Sequence, residues 1–262
     1  MSSFDFTESE LSSDDGPALR VCVLDVVSIT RAGESPTLIG SLQQKAILTL
    51  LAAAKTRSVS IDAIADELWP DARPQRWRGC IATLANSLRR AAGDCDFLVS
   101  TARGYTLHRR PEAVVTDVEE LERCVVEALE AEREGNADVA EAMARRALAV
   151  YGSGPWTTDY WGWNETAADA ARILASALLR RGAAVSCINE LGRRMEDFDW
   201  HEGLWACLIS AHHQLGSTRR ALDLTQKAKL AVGGLTRTLA HVEEQLASPR
   251  PVRSELFVGL SA

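Results

Sequence analysis

The sequence lacks the short motifs that most often mark an enzyme or a metal site. None of the patterns GxGxxG, GxxxxGKS, GxxxxGKT, GxSxG, HExxH and CxxC occurs in its 262 residues. The six cysteines stand singly within otherwise regular segments, and His212 and His213 are neighbours on a helix-like stretch that points them in different directions. We therefore expect no enzyme activity, no metal and no cofactor, and cysteines that serve as small apolar side chains.

Long apolar runs and a secretion signal are also missing. The apolar stretch at residues 46–54 falls well short of the about 20 residues that a membrane-spanning helix needs. The first 15 residues hold five acids and no base, which is not the order of a basic and then apolar signal peptide. These absences predict a cytoplasmic protein with no membrane partner.

The composition is ordinary for a folded protein, but the charge is unevenly distributed. Hydrophobic residues make up 46% of the chain and charged residues 25%, which is enough apolar surface for two cores. The net charge of −7 divides into −5 for residues 1–15, +5 for residues 16–110 and −7 for residues 111–262. Two domains with different partners are predicted, because phosphate attracts a basic segment and repels an acidic one; chance asymmetry is the alternative.

Residues 16–110 carry the pattern of a winged helix. Residues 19–29 are rich in β-branched side chains and suit one strand. Three helices are predicted from apolar spacing and from proline or cap residues: residues 42–54, 61–69 and 75–92. Ser41 and Ser60 fit as N-caps of the first two helices. The alternating run at residues 97–110 predicts a hairpin, the wing of such a domain.

The third predicted helix has an apolar face and a polar face. Its apolar positions share one arc at helical spacing: Trp77, Ile81, Leu84, Leu88 and Ala91. In a winged helix this helix enters the major groove of DNA, and the wing lies along the phosphate backbone. The expected DNA contacts are of types that read bases or hold phosphates: Arg76, Arg78, Thr83, Asn86, Ser87, Arg89, Arg90, Arg103 and Arg109. Plain solvated surface is the alternative for each of them.

The chain beyond residue 111 favours helix almost throughout. Gly135, Gly182 and Gly216 punctuate the pattern, and the last two are 34 residues apart, which is the period of tetratricopeptide-like helix pairs. The residue five positions after each glycine is small: Ala140, Cys187 and Ala221. Small residues permit close helix packing, so an array of helix pairs that presents a surface to another macromolecule is predicted.

Two sets of motifs follow one another along the chain. The first set, in residues 41–110, is LQQKAILTLLAAA, SIDAIADELWPD, SLRRA and LVSTARGYTLH. The second set is DVEELERCVVEALEAEREGNADVAEAMARRALAVYGSGPW, LLRRGAAVSCINELGRRM and LISAHHQLGSTRRALDLTQKAKLAVGGL. With the first set the chain resembles the OmpR-type winged helix of SARP-type (antibiotic regulatory protein) activators. The second set is similar to the bacterial transcriptional activator domain of the same family.

The resemblance implies both a fold class and a function. The implied fold is mainly α with a small β component, a winged helix followed by tetratricopeptide-like helical repeats. The implied function is activation of transcription. Two protomers, which could form a homodimer on DNA, are expected to bind direct repeats in double-stranded promoter DNA and to recruit RNA polymerase holoenzyme. By position, residues 88–90 match the end of the family's recognition helix. Residues 103–105 match its wing, which adds Tyr105 to the expected DNA contacts.

These inferences divide the chain into four parts. We expect a disordered acidic leader at residues 1–15, a winged-helix DNA-binding domain at 16–110, a helical-repeat activator domain at 111–248 and a tail at 249–262. The alternative function is a protein-interaction adaptor in which the winged helix is degenerate. The negative net charge favours that alternative, as does Ser87, which stands where the family often has arginine.

Overall fold

The computed structural model describes residues 19–55, 57–93, 97–107, 114–156 and 162–247. It is mainly helical with a small sheet component, so the predicted fold class is confirmed. The chain forms two compact units, which divide between Val118 and Glu119. The leader and the tail expected from the sequence lie outside the described residues.

The first unit begins with three antiparallel strands. These are β1 (Leu19–Cys22), β2 (Ser28–Arg31) and β3 (Thr37–Leu38). The prediction of one strand over residues 19–29 is wrong, because the chain bends between β1 and β2. The backbone N–H groups of Val23 and Leu24 donate to the Asp117 carboxylate, at 2.7 and 2.9 Å, instead of continuing a strand ladder.

The three predicted helices are present: α1 (Leu42–Ala54), α2 (Ile61–Leu68) and α3 (Trp77–Ala91). Ser41 and Ser60 are confirmed as N-caps, since their hydroxyl oxygens accept the backbone N–H groups of Gln44 and Ala63. A second antiparallel sheet combines β4 (Val59–Ser60), β5 (Leu98–Thr101) and β6 (Gly104–Leu107) in the order β4-β6-β5. β5 and β6 form the predicted wing.

The buried face of α3 differs from the predicted one. Ile81, Ala85 and Leu88 are buried, whereas Trp77 and Leu84 are only half-buried. α3 packs against β5 as well as against α1 and α2, so small Ala85 is fully enclosed. The arc predicted from the sequence includes Trp77 and Leu84 and leaves out Ala85.

A strand that the sequence did not predict completes the first unit. β7 (Val114–Thr116) pairs in parallel with β1 and extends the first sheet to the order β3-β2-β1-β7. Asp117 follows it and accepts three backbone N–H groups, from Val23, Leu24 and Val118. Burial raises the pKa of the Asp117 carboxyl, and these three donors oppose that rise. The first unit therefore reaches past residue 110.

The described residues of the second unit lie mainly in helices. These helices are α4 (Asp117–Arg133), α5 (Ala137–Tyr151), α6 (Trp163–Arg180), α7 (Ala184–Arg194), α8 (Glu202–Gln214), α9 (Thr218–Ala231) and α10 (Arg237–Ala247). Gly135, Gly182 and Gly216 adopt φ values of 78, 72 and 73° at helix ends, which glycine tolerates best. The helical-repeat prediction is confirmed.

Small side chains allow these helices to approach one another closely. Ala140, Cys187 and Ala221, five residues after the three glycines, are at most 2% exposed. A buried ion pair also links α4 and α6, where the Arg172 guanidinium donates twice to the Glu132 carboxylate, at 3.1 and 2.9 Å. Its two side chains are only 14% and 7% exposed, so the buried Glu132 carboxylate depends on Arg172 for charge compensation.

Candidate nucleic-acid interface

The side of α3 that faces away from the core carries a strip of polar and basic residues. Arg76, Thr83, Asn86 and Arg90 are exposed along it. Within the described part of the chain, no carboxylate forms an ion pair with Arg76, Arg78 or Arg90. These cationic groups are therefore available to an external anion such as phosphate. The major groove of DNA is wide enough to admit one α-helix of this kind.

Arginine and tryptophan side chains organise the start of α3. The Arg73 guanidinium binds the carboxylates of Asp62 and Asp66 on α2. It also lies 4.8 Å from the Trp77 ring centroid, and the Arg78 guanidinium lies 4.3 Å from the same centroid. Arg73 is thus neutralised by α2, whereas Arg78 stacks on the ring and keeps its charge in solvent.

The middle of α3 presents small and polar groups. Thr83 Oγ1 donates to the carbonyl oxygen of Gly79 at 3.0 Å, which leaves the hydroxyl oxygen able to accept. A Cβ built at Gly79 would meet nothing within 4 Å, so the helix surface is open there. One turn further along, Asn86 Oδ1 accepts a hydrogen bond from Arg89 Nη1 at 2.7 Å.

Arg89 differs from the other arginines of α3 because it is half-buried and bonded within the domain. Its Nε donates to the carbonyl oxygen of Leu98 at 2.9 Å, and its Nη2 donates to Ser100 Oγ at 2.9 Å. Both acceptors belong to β5. The sequence predicted a DNA contact for Arg89, whereas the structure places its guanidinium between α3 and the wing.

The wing turn is held in one conformation by a threonine and a glycine. Thr101 Oγ1 accepts the backbone N–H groups of Arg103 and Gly104, at 3.3 and 3.1 Å, and lies 2.7 Å from Ser58 Oγ. A Cβ at Gly104 would lie 1.9 Å from the Val59 carbonyl oxygen, so only glycine lets β6 approach β4 here. Arg103 is exposed at this fixed turn, where the sequence predicted a phosphate contact.

Three other predicted contacts have less open positions or lie outside the description. Tyr105 is 9% exposed, so its ring is part of the packed wing rather than an open surface. Ser87 is half-buried. Arg109 lies outside the described residues.

Sequence reasoning missed the side chains that hold the site in place: Arg73, Ser58, Thr101 and Ser100. The Thr-x-x-Gly spacing of the wing turn is a local signal that could have indicated Thr101. The acid partners of Arg73 and the β5 partners of Arg89 lie on neighbouring elements, and no short sequence pattern marks them.

The described residues contain neither a candidate metal site nor a candidate membrane-spanning helix. No group of three or more His, Cys, Asp or Glu side chains in them is arranged to hold a metal ion. None of their helices combines the length and the apolar character that crossing a bilayer requires.

Comparisons with known proteins place this fold in a family. The family model described as the bacterial transcriptional activator domain matches residues 116–232, which run from the last residue of β7 past the end of α9. The regulatory protein DnrI of Streptomyces peucetius is 29% identical over 197 residues, which cover 68% of this chain and 71% of DnrI. The chain contains this domain and is similar to SARP-type regulators.

Two further relatives are longer proteins. The regulatory protein AfsR of Streptomyces griseus is 28% identical over 251 residues, which cover 91% of this chain but only 24% of AfsR. The chain therefore spans about a quarter of that relative. EmbR of Mycobacterium tuberculosis, solved in complex with a low affinity phosphopeptide, matches with a TM-score of 0.78 at 22% identity over 90% of this chain and 67% of EmbR. At that identity the likeness concerns the fold.

Proposed function

We propose that this protein is a SARP-type regulator, a cytoplasmic and sequence-specific DNA-binding activator of transcription, and not an enzyme. Its α3 lies in the major groove of promoter DNA, and its wing lies along the backbone. The observation that carries the proposal is the strip of exposed arginines on α3, which have no carboxylate partner among the described residues. A protein whose winged helix served only as scaffold would have no need to keep these charges open.

The DNA contacts divide by chemistry. Arg76, Arg78 and Arg90 on α3 and Arg103 at the wing turn hold phosphates, because a guanidinium donates to phosphate oxygens in almost any sequence. Thr83 and Asn86 read base edges, since the Thr83 hydroxyl oxygen can accept a hydrogen bond and the Asn86 amide nitrogen can donate one. Arg109 is proposed as a further phosphate contact only because it follows the wing in the sequence.

The second unit is proposed to bind protein rather than DNA. Residues 119–262 hold 16 Lys and Arg against 21 Asp and Glu, a net charge of −5, so they repel phosphate. We propose that the helical repeats contact RNA polymerase holoenzyme and that two protomers assemble as a homodimer on direct repeats. DnrI and AfsR are named as regulatory proteins, which supports a regulatory role for this chain.

Selection from a random-sequence duplex pool tests the function. The full chain is expected to enrich one sequence motif in two directly repeated copies, and that duplex placed upstream of a promoter is expected to increase transcription by RNA polymerase holoenzyme. A chain that enriches no motif contradicts DNA binding and leaves the adaptor as the function. Enrichment without increased transcription contradicts activation.

A further inference from the structure

Two adjacent arginines at the end of α3 have different surroundings. Arg90 is exposed and has no ion-pair partner within the described residues. Arg89 is half-buried, and each of its three nitrogens donates to a different acceptor: Nε to Leu98, Nη1 to Asn86 and Nη2 to Ser100. Three of the five N–H donors of Arg89 are thus used within the domain, and they hold the guanidinium against β5.

The bond to Asn86 fixes which way its carboxamide is turned. A guanidinium has donors only, so the Asn86 atom that lies 2.7 Å from Arg89 Nη1 is the oxygen. The amide nitrogen is then the end left to donate to an acceptor on a base edge. Without Arg89 the carboxamide could rotate freely, and its donor and acceptor would exchange places.

The bonds to Leu98 and Ser100 tie the wing to the same helix. Leu98 and Ser100 lie two residues apart on β5, which continues through the wing turn to β6. One planar group therefore fixes Asn86 on α3 and two points on β5. A single residue, Arg89, therefore fixes the position of the Asn86 side chain relative to the wing.

We propose that Arg89 is a positioning residue, which orients the Asn86 carboxamide and links the wing to α3, and that it does not hold a phosphate. This inference rests on the proposed DNA-binding function and revises the role that the sequence gave to Arg89. It makes Arg89 a determinant of base preference although it touches no base.

Salt dependence separates a positioning role from a phosphate contact. Each phosphate contact on duplex DNA contributes about −0.9 to the slope of log affinity against log salt concentration. The full chain and its Arg89→Gln and Arg90→Gln variants are titrated with a duplex that the unsubstituted protein has selected from a random pool. Arg90→Gln is the matched control, because it makes the same change at the neighbouring residue.

Base preference is measured on the same duplex and on its single-base variants. Arg89→Gln and Asn86→Ala are expected to weaken discrimination at the same base position, by about tenfold each. The double variant is expected to lose no more than either single variant, because both changes remove one interaction. Arg89→Lys is included because its stem fills the same space and it keeps the positive charge.

The proposal predicts an unchanged salt slope for Arg89→Gln and a slope smaller in magnitude by about 0.9 for Arg90→Gln. Arg89→Lys is expected to keep the slope and still lose the base preference, because an ammonium cannot reach three separate acceptors. A slope reduced by Arg89→Gln, or full base preference in Arg89→Lys, would overturn the proposal. An unsubstituted chain with no salt-dependent binding would instead overturn the DNA-binding function itself.

Discussion

In the second unit most arginines of the helix surfaces bind carboxylates of the same unit, whereas on the exposed side of α3 they do not. Arg145, Arg146, Arg172 and Arg181 each pair with a glutamate of that unit. On α3, Arg76 and Arg90 have no such partner among the described residues. Arginine therefore stabilises the fold in the second unit, whereas along the exposed side of α3 it remains open to an external anion.

Replacing one arginine in each unit by alanine is expected to give the largest difference in stability. Arg172→Ala leaves Glu132 buried without its partner, so we expect it to destabilise the second unit by about 3 kcal/mol or more. Arg90→Ala removes an exposed group, and we expect its effect on stability to stay within about 0.5 kcal/mol. Chemical denaturation of the full chain measures both. Equal losses would contradict the division of arginine roles.

The first unit relies instead on a buried aspartate. Asp117→Ala removes the acceptor of three backbone N–H groups, and we expect the first unit to lose about 3 kcal/mol of stability. Asp71→Ala, at an exposed position, is the matched control and should change stability by less than about 0.5 kcal/mol. Thermal unfolding followed by tryptophan fluorescence provides the readout, and an effect no larger than the control's would show that Asp117 is dispensable.

Alanine substitutions at Gly104 in the wing and at Gly79 in α3 are expected to have opposite effects on stability. Gly104→Ala would bring a Cβ within 1.9 Å of the Val59 carbonyl oxygen, so we expect a loss of about 2 kcal/mol and weaker DNA binding. Gly79→Ala meets nothing within 4 Å and lies inside α3, so it should stabilise the helix by about 0.5 to 1 kcal/mol. A tolerated alanine at residue 104 in denaturation experiments would refute the described contact of β6 with β4.

The smallest expected difference between the two units is in the rate at which their cysteine thiols are alkylated. Burial raises the pKa of Cys207 to about 12 and raises that of Cys187 as well, so both thiols stay protonated at neutral pH. Cys80 on α3 is half-buried. Brief alkylation of the native chain, read by peptide mass spectrometry, should label Cys80 before these two. Early labelling of Cys187 would indicate that α7 is less enclosed than described.

Local sequence signals predicted local structure well. The limits of α1 and the caps Ser41 and Ser60 follow from a hydroxyl residue placed just before an apolar periodic run. The helix ends at Gly135, Gly182 and Gly216 follow from the conformation that glycine allows. Each of these features depends on a few consecutive residues, so the sequence contains all the information they need.

Features that depend on distant residues were missed or misplaced. β7 pairs with β1 across more than ninety residues, and the bend after β1 is stabilised by Asp117 from the same distance. Of the proposed contacts, Arg89 and Tyr105 have the helix-face and wing positions that the sequence predicted, but tertiary packing turns both toward the protein. A residue's place on a helix can be predicted from spacing, whereas its partners depend on the assembled fold.

The salt dependence of duplex DNA binding by the full chain tests the central claim most directly. The exposed arginines of α3 and of the wing turn predict a steep fall of affinity with salt, with a log-log slope of several times about −0.9. The combined Arg76→Ala and Arg90→Ala variant should reduce the magnitude of that slope by about twice 0.9 while the fold is retained. Affinity that does not change with salt, or a slope that both substitutions leave unaltered, would contradict the claim that this strip binds DNA.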